Sequence, residues 1–112
     1  MSTDRELLEL AAKAAGLDAV WDDYLEEHAI YNEDGVFVDD WNPLTDDGDA
    51  LRLAVKLNMC LKHHYFDGDW YVMASHENGW SQERAEPDQY AATRRAVVRA
   101  AAEIGKQKGG AA

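Results

Sequence analysis

The chain has 112 residues, 46% of them hydrophobic, with four Trp and five Tyr. That is enough for one core and too little for two, and it excludes wholesale disorder. Twenty-two acidic residues face eleven basic ones, a formal charge of -11, which disfavours nucleic acid and anionic lipid as direct partners and favours a basic protein. No apolar run is long enough to span a bilayer, no basic-then-apolar leader opens Met1-Ser2-Thr3-Asp4, and Cys60 has no second cysteine to pair with; together these predict a cytoplasmic protein.

Thr3 followed by Glu6 is the spacing of a capping box and predicts a first helix. At about 100° per residue its Leu7, Leu8, Leu10, Ala11, Ala14 and Ala15 share one face, Glu6, Glu9 and Lys13 share the other, and Gly16 supplies the stop. The segment Ala19 to His28 reads either as a short helix carrying Trp21, Tyr24 and Leu25 or as an irregular acidic loop. Ala29-Ile30-Tyr31 and Val36-Phe37-Val38, joined by Asn32-Glu33-Asp34-Gly35, read as two short strands around a turn. A second helix opens at Thr45 or Asp46, with more acid in its first turn. Its apolar residues from Ala50 to Leu57 cover most of the circumference, so it is expected to be the most buried element, ending at Asn58.

Met59 to Phe66 and Trp70 to Ser75 alternate around Asp67-Gly68-Asp69, the strongest hairpin signal in the chain. A polar loop from His76 to Glu86 is expected next. Pro87 or Asp88 then opens a last helix to about Ile104, stopped by Gly105. The order predicts an α+β fold: a small antiparallel β-sheet with three alanine-rich helices packed on it, one domain over residues 1–106, and a flexible tail over 107–112.

Three blocks of this sequence stand out: Leu7 to Gly16 (LLELAAKAAG), Trp41 to Leu57 (WNPLTDDGDALRLAVKL) and Tyr90 to Gly105 (YAATRRAVVRAAAEIG). Their combination resembles a family of small proteins encoded by tailed bacteriophages and prophages, with a layout similar to the NinX-like phage proteins. The blocks cover a little under half the chain, and the Trp-Asn-Pro-Leu-Thr-Asp-Asp-Gly-Asp-Ala-Leu run is the specific one. The chain departs from the pattern between blocks, at Val20 to Asp40 and Trp70 to Glu86. The resemblance implies a phage origin and an accessory role, and carries over no catalytic residue.

Four groups of residues invite chemistry. His63, His64 and His76 lie on or beside the predicted hairpin with Asp67 and Asp69 at its tip, but strand neighbours point to opposite faces and no ligand spacing accompanies them. No metal and no other cofactor is expected. Cys60 and His64 share a strand face but lie too far apart along it for a nucleophile–base pair, and no phosphate loop or nucleophile elbow is present; the protein is not expected to be an enzyme. Arg94 falls about 40° from Tyr90 around the last helix, inside its apolar arc, whereas Arg95 and Arg99 lie on the wet side. A guanidinium there needs a carboxylate, which Asp46, Asp47 or Asp49 would supply as a clamp between helices; the alternative is an arginine offered to a ligand.

The fourth group is the acidic stretch. Between Lys13 and Arg52 there is no Lys or Arg, while Asp18, Asp22, Asp23, Glu26, Glu27, Glu33, Asp34, Asp39, Asp40, Asp46, Asp47 and Asp49 all fall there. Trp21, Tyr24, Tyr31, Phe37 and Trp41 are interleaved with these acids, the composition of interface anchors with a polar rim; the competing reading makes the aromatics core and the acids a solvated face. The expected partner-binding set is Trp21, Tyr24, Asp22, Asp23, Glu26, Glu27, Glu33, Asp34, Asp39 and Asp40. The sequence thus predicts a phage-encoded, non-enzymatic interaction protein in the bacterial cytoplasm. It would bind a basic host or phage protein by presenting carboxylates in place of phosphates, with inhibition of a nucleic-acid-binding defence system, as by an anti-CRISPR protein, as the candidate role. The alternative is a structural or housekeeping phage protein that self-associates as a homodimer.

Overall fold

Helix α1 (Asp4–Ala15) begins as its sequence predicts: the Thr3 hydroxyl accepts the Glu6 amide while the Glu6 carboxylate reaches back to the Thr3 amide. The computed structural model describes residues 3–110. Gly16 closes the helix in the left-handed conformation, φ 71°, where a side chain would be strained. Leu7, Leu8, Ala11, Ala12, Ala14 and Ala15 are buried.

The chain then builds a three-stranded antiparallel sheet, sheet A, from β1 (Ala19–Asp22), β2 (Glu27–Tyr31) and β3 (Phe37–Trp41), in the order β1-β2-β3. Neither reading of Ala19 to His28 holds: it is a strand, a turn and the start of a second strand. The turn is made locally. The Asp22 carboxylate accepts the Tyr24 and Leu25 amides, and Glu26 takes φ 55°, so side chain-to-backbone bonds outcompete the helix. The β2–β3 turn is built the same way, with Asn32 Oδ1 accepting the Asp34 and Val36 amides and Gly35 at φ 77°.

Helix α2 (Asp47–Lys56) is capped by Asp46, whose carboxylate accepts the Asp49 amide. It is not the most buried element. Only Asp49, Ala50, Leu53 and Ala54 are buried, while Leu51 and Val55 are 61% and 67% exposed, and the helix is capped at Leu57, one residue before Asn58. Strands β4 (Cys60–Phe66), β5 (Asp69–His76) and β6 (Gly79–Arg84) form a second antiparallel sheet, sheet B, ordered β4-β5-β6. The β4–β5 hairpin is as predicted. The polar loop expected from His76 to Glu86 instead contains β6, paired with β5 from His76↔Gly79 to Tyr71↔Arg84. There are therefore two small sheets rather than one.

Helix α3 (Gln89–Gly110) starts where Asp88 accepts the Tyr90 and Ala91 amides and runs straight through Gly105. Residues 107–110 are helical, not a tail; Ala111 and Ala112, the end of that predicted tail, lie outside the described residues. This glycine serves close approach rather than termination: a Cβ built on it would lie 2.0 Å from the Leu10 carbonyl oxygen of α1. The continuation is used, because Lys108 Nζ donates to the Ala14 carbonyl at 2.8 Å and so satisfies a helix end that lacks an intrahelical donor. Around α3 the core assembles from Leu7, Leu8, Ala11 and Ala15 of α1, Leu53 and Ala54 of α2, Val72 and Ala74 of β5, and its own Ala96, Val97, Val98 and Ala100 to Ala102. Trp41 joins this core.

Gly105→Ala should therefore destabilise the fold by about 1–3 kcal/mol or more through overpacking. At an unobstructed helical site the same change would stabilise by up to about 1 kcal/mol. Chemical denaturation distinguishes the two signs.

Candidate protein-binding face

The acidic residues singled out in the sequence come together on sheet A and its turns. Asp22, Asp23, Glu26 and Glu27 lie at the β1–β2 end, Glu33 and Asp34 in the turn at the other end of β2, and Asp39 and Asp40 in β3. Pairing and strand alternation put Trp21, His28 and Trp41 on the face toward the helices and Val20, Ala29 and Asp40 on the other. Trp41 is buried and serves the core, which removes it from the candidate anchors. Trp21 is half-buried. Its indole N–H donates to Asp23 at 2.8 Å, its ring meets His28 edge-on at 5.0 Å, and the Arg5 guanidinium sits 4.5 Å from its centroid. Tyr24, 95% exposed, projects from the turn, with Val20, Leu25 and Phe37 also exposed.

Three of the acids already carry local duties: Asp22 in the turn, Asp23 on Trp21, and Asp39, which accepts the Asp40 amide. Glu26, Glu27, Glu33 and Asp34 hold no side-chain hydrogen bond among the described residues. Below β3 a cleft gathers Glu27, Asp39, Asp40, Asp46 and Asp49 around Arg52. Arg52 bonds Asp49 at 2.7 Å and lies 3.9 Å from Asp46; the Asp49 hydrogen bond, with the charges of Asp46 and Asp39 adding to it, raises the guanidinium above its ordinary range. Asp49 also accepts the Asn42 amide at 3.0 Å, which ties the end of β3 to α2.

The cations are distributed unevenly. All six arginines are bridged to carboxylates elsewhere: Arg5 to Glu9, Arg52 to Asp49, Arg84 to Asp69, Arg94 to Asp47, Arg95 to Asp4 and Arg99 to Glu83. Among the described residues, none of Asp18, Asp22, Asp23, Glu26, Glu27, Glu33, Asp34, Asp39 and Asp40 has a cationic partner within salt-bridge distance. Sheet A thus carries carboxylates with no salt-bridge partner, Arg52 acting on Asp39 only at longer range, and exposed apolar side chains lie among them. No family model, curated protein or solved structure matches this chain.

The remaining candidates separate. His63 and His64 fall on opposite faces of β4; His64 Nε2 lies 2.9 Å from Gln82 Oε1, and His76 Nδ1 accepts the Asn78 amide. Among the described residues no three His, Cys, Asp or Glu side chains gather to hold a metal, and chelation with EDTA should leave the melting temperature unchanged. Sequence reasoning missed His28, fully buried, with Nε2 3.4 Å from Glu9 and Nδ1 unpartnered; its pairing with Trp21 across β1–β2 was hidden once that segment was read as helix or loop.

The Arg94 clamp forms, with one partner of the three considered. Its Nη1 donates to Asp47 at 2.6 Å and its Nε to the Leu44 carbonyl at 2.8 Å, while Asp46 caps α2 and Asp49 takes Arg52. The Arg94 side chain is 17% exposed and that of Asp47 67%, so the dependence is one-sided. Arg94→Ala should cost about 1.5–3 kcal/mol by stranding the Leu44 carbonyl, whereas Asp47→Ala should cost under about 1 kcal/mol, as an exposed partner does. Urea titrations giving equal losses would refute this asymmetry. Arg99 is exposed on the wet face, as expected, and is also bridged to the largely buried Glu83 at 2.6 Å.

Proposed function

We propose that this chain is a non-enzymatic binding protein whose sheet A docks on a basic surface of another protein, presenting carboxylates where that partner receives phosphates. The supporting observation is the segregation of charge: every arginine is engaged elsewhere, and the sheet A acids have no cation of their own. Mutual repulsion among such groups is relieved when a partner supplies the missing cations, and their summed field accelerates encounter. The exposed Val20, Tyr24, Leu25 and Phe37 then supply the apolar area that charge alone does not. In the phage setting suggested by the three sequence blocks, the partner is a bacterial host protein in the cytoplasm, and a nucleic-acid-binding defence component is the target class that carboxylates in place of phosphates would block.

The decisive test uses three exposed acids whose side chains make no hydrogen bond. A Glu26→Lys, Glu33→Lys, Asp34→Lys variant should keep the parent fold, since exposed charges contribute little to stability. From bacterial lysate the parent should retain basic nucleic-acid-binding proteins that duplex DNA displaces, and the variant should lose them. With a captured partner, the association rate should fall steeply as salt approaches physiological strength, where exposed charges are screened beyond about 8 Å. The protein itself should not retard duplex DNA. A variant that retains the same proteins, or retention that DNA does not compete, would sink the proposal.

A further inference from the structure

Sheet B offers a different surface. Its order leaves β4 as an edge strand, and the backbone direction along that edge follows from the hairpin. Asp67 and Gly68 both have positive φ, 52° and 88°, the two-residue turn whose flanking residues bond to each other. Ala85 N donates to the Trp70 carbonyl at 2.9 Å, so Trp70 turns its backbone to the β6 side and Asp69, by alternation, turns to β4. Cys60, Lys62, His64 and Phe66 therefore face β5, and Leu61, His63 and Tyr65 direct their N–H and C=O groups to the open edge.

Two further features distinguish this edge. From Ala50 to Phe66 the chain holds Arg52, Lys56 and Lys62 but no Asp or Glu, whereas β1 ends in Asp22, β3 carries Asp39 and Asp40, and β6 carries Glu83. Beside it runs an apolar groove of about 440 Å³ lined by Leu51, Leu61, Tyr90 and Val97, with Leu51, Tyr65, Phe66 and Tyr90 all exposed. An unpaired edge beside a groove that can take alternate side chains is the arrangement of β-strand addition.

We propose that β4 pairs antiparallel with β4 of a second copy about a twofold axis at His63, joining the two B sheets into one of six strands. The strand is complementary to itself in that register. The outward-directed groups meet one another, His63 with His63 and Leu61 with Tyr65, while Cys60 lies opposite Phe66 and Lys62 opposite His64. No carboxylate faces another, whereas the same pairing centred on β3 would set Asp39 against Asp39. Tyr65 of the second copy falls beside Leu61, against the groove. An extended segment of an unrelated protein would meet the same backbone groups; a strand free of carboxylates in a chain of charge -11, with Leu61 set against Tyr65 and Cys60 against Phe66, is what favours a second copy. Each copy carries a net charge of -11, so added salt screens their repulsion and strengthens the dimer, the opposite of its effect on docking through sheet A. The two proposals stand and fall separately.

The test is sedimentation equilibrium of the full chain at low and high salt, with amide exchange measured over a range of concentrations. A dimer tightened by salt is expected, with the Leu61, His63 and Tyr65 amides increasingly protected as concentration rises. Tyr65→Glu sets a carboxylate against the apolar Leu61 of the other copy and should raise the dissociation constant at least about 100-fold. His63→Pro, which removes an outward N–H from an edge position that tolerates proline, should do the same, both variants keeping the parent circular dichroism. A chain that remains monomeric up to about 1 mM, edge amides whose exchange ignores concentration, or a dimer indifferent to Tyr65→Glu would overturn the proposal. Edge amides protected only when another protein is added would make the occupant a foreign strand and overturn self-pairing.

Discussion

The rest of the structure depends on how closely α1 and α3 approach. With Leu10's carbonyl 2.0 Å from where a Cβ of Gly105 would stand, the helices meet backbone to backbone at that point, and many of the buried residues on both are alanines. A second close approach occurs on the other side of α3, where a Cβ on Gly79 would lie 2.9 Å from the Ala100 carbonyl and β6 is drawn in against the helix. Helix α3 is thus a spine of small residues, with α1 and sheet B laid against it. Many short contacts between small side chains replace a few large ones, which suits a core whose density must match that of other protein interiors.

This framework explains where the cations go. Arg94, Arg95 and Arg99 emerge from the spine and bridge it to α2, α1 and β6 through Asp47, Asp4 and Glu83. Exposed pairs of this kind contribute little individually, and the partly buried Arg94 is the member whose loss matters for stability. The arrangement also has an electrical result: no arginine is salt-bridged to an acid of sheet A, although Arg5 lies over Trp21 and Arg52 beside Asp39. The strands of that sheet are held by local turn chemistry, by Trp41 and His28 on the buried face, and by the Asp49 bond to Asn42, none of which neutralises the acids.

Much of the helical framework is legible in the sequence because its signals are local. Thr3 with Glu6, Asp46 and Asp88 each mark a helix start, and the alternation around Asp67-Gly68 marks the β4–β5 hairpin. Sheet A and β6 are less legible for one reason. Asp22 and Asn32 satisfy backbone amides in their turns, a use of acidic and amide side chains that composition cannot separate from a solvated loop, and β6 alternates around small or polar residues such as Ser81. Gly105 misleads because a glycine that ends a helix and a glycine that admits a neighbouring backbone look alike until the neighbour is known. For the candidate face the sequence supplies the acids and the aromatics but not their sorting: Trp41 goes to the core, Tyr24 to solvent, and Trp21 to a half-buried stack between Arg5 and His28.

The Gly105 contact also bears on how such a sequence can change over generations. At Gly105 any enlargement meets the Leu10 carbonyl, so this position accepts no side chain without shifting the helices apart. On sheet A, where Glu33 and Asp34 touch nothing that depends on their shape, replacements are nearly unconstrained by folding. Change is therefore constrained where the helices touch and free at the turn of β2 and β3, within one small fold.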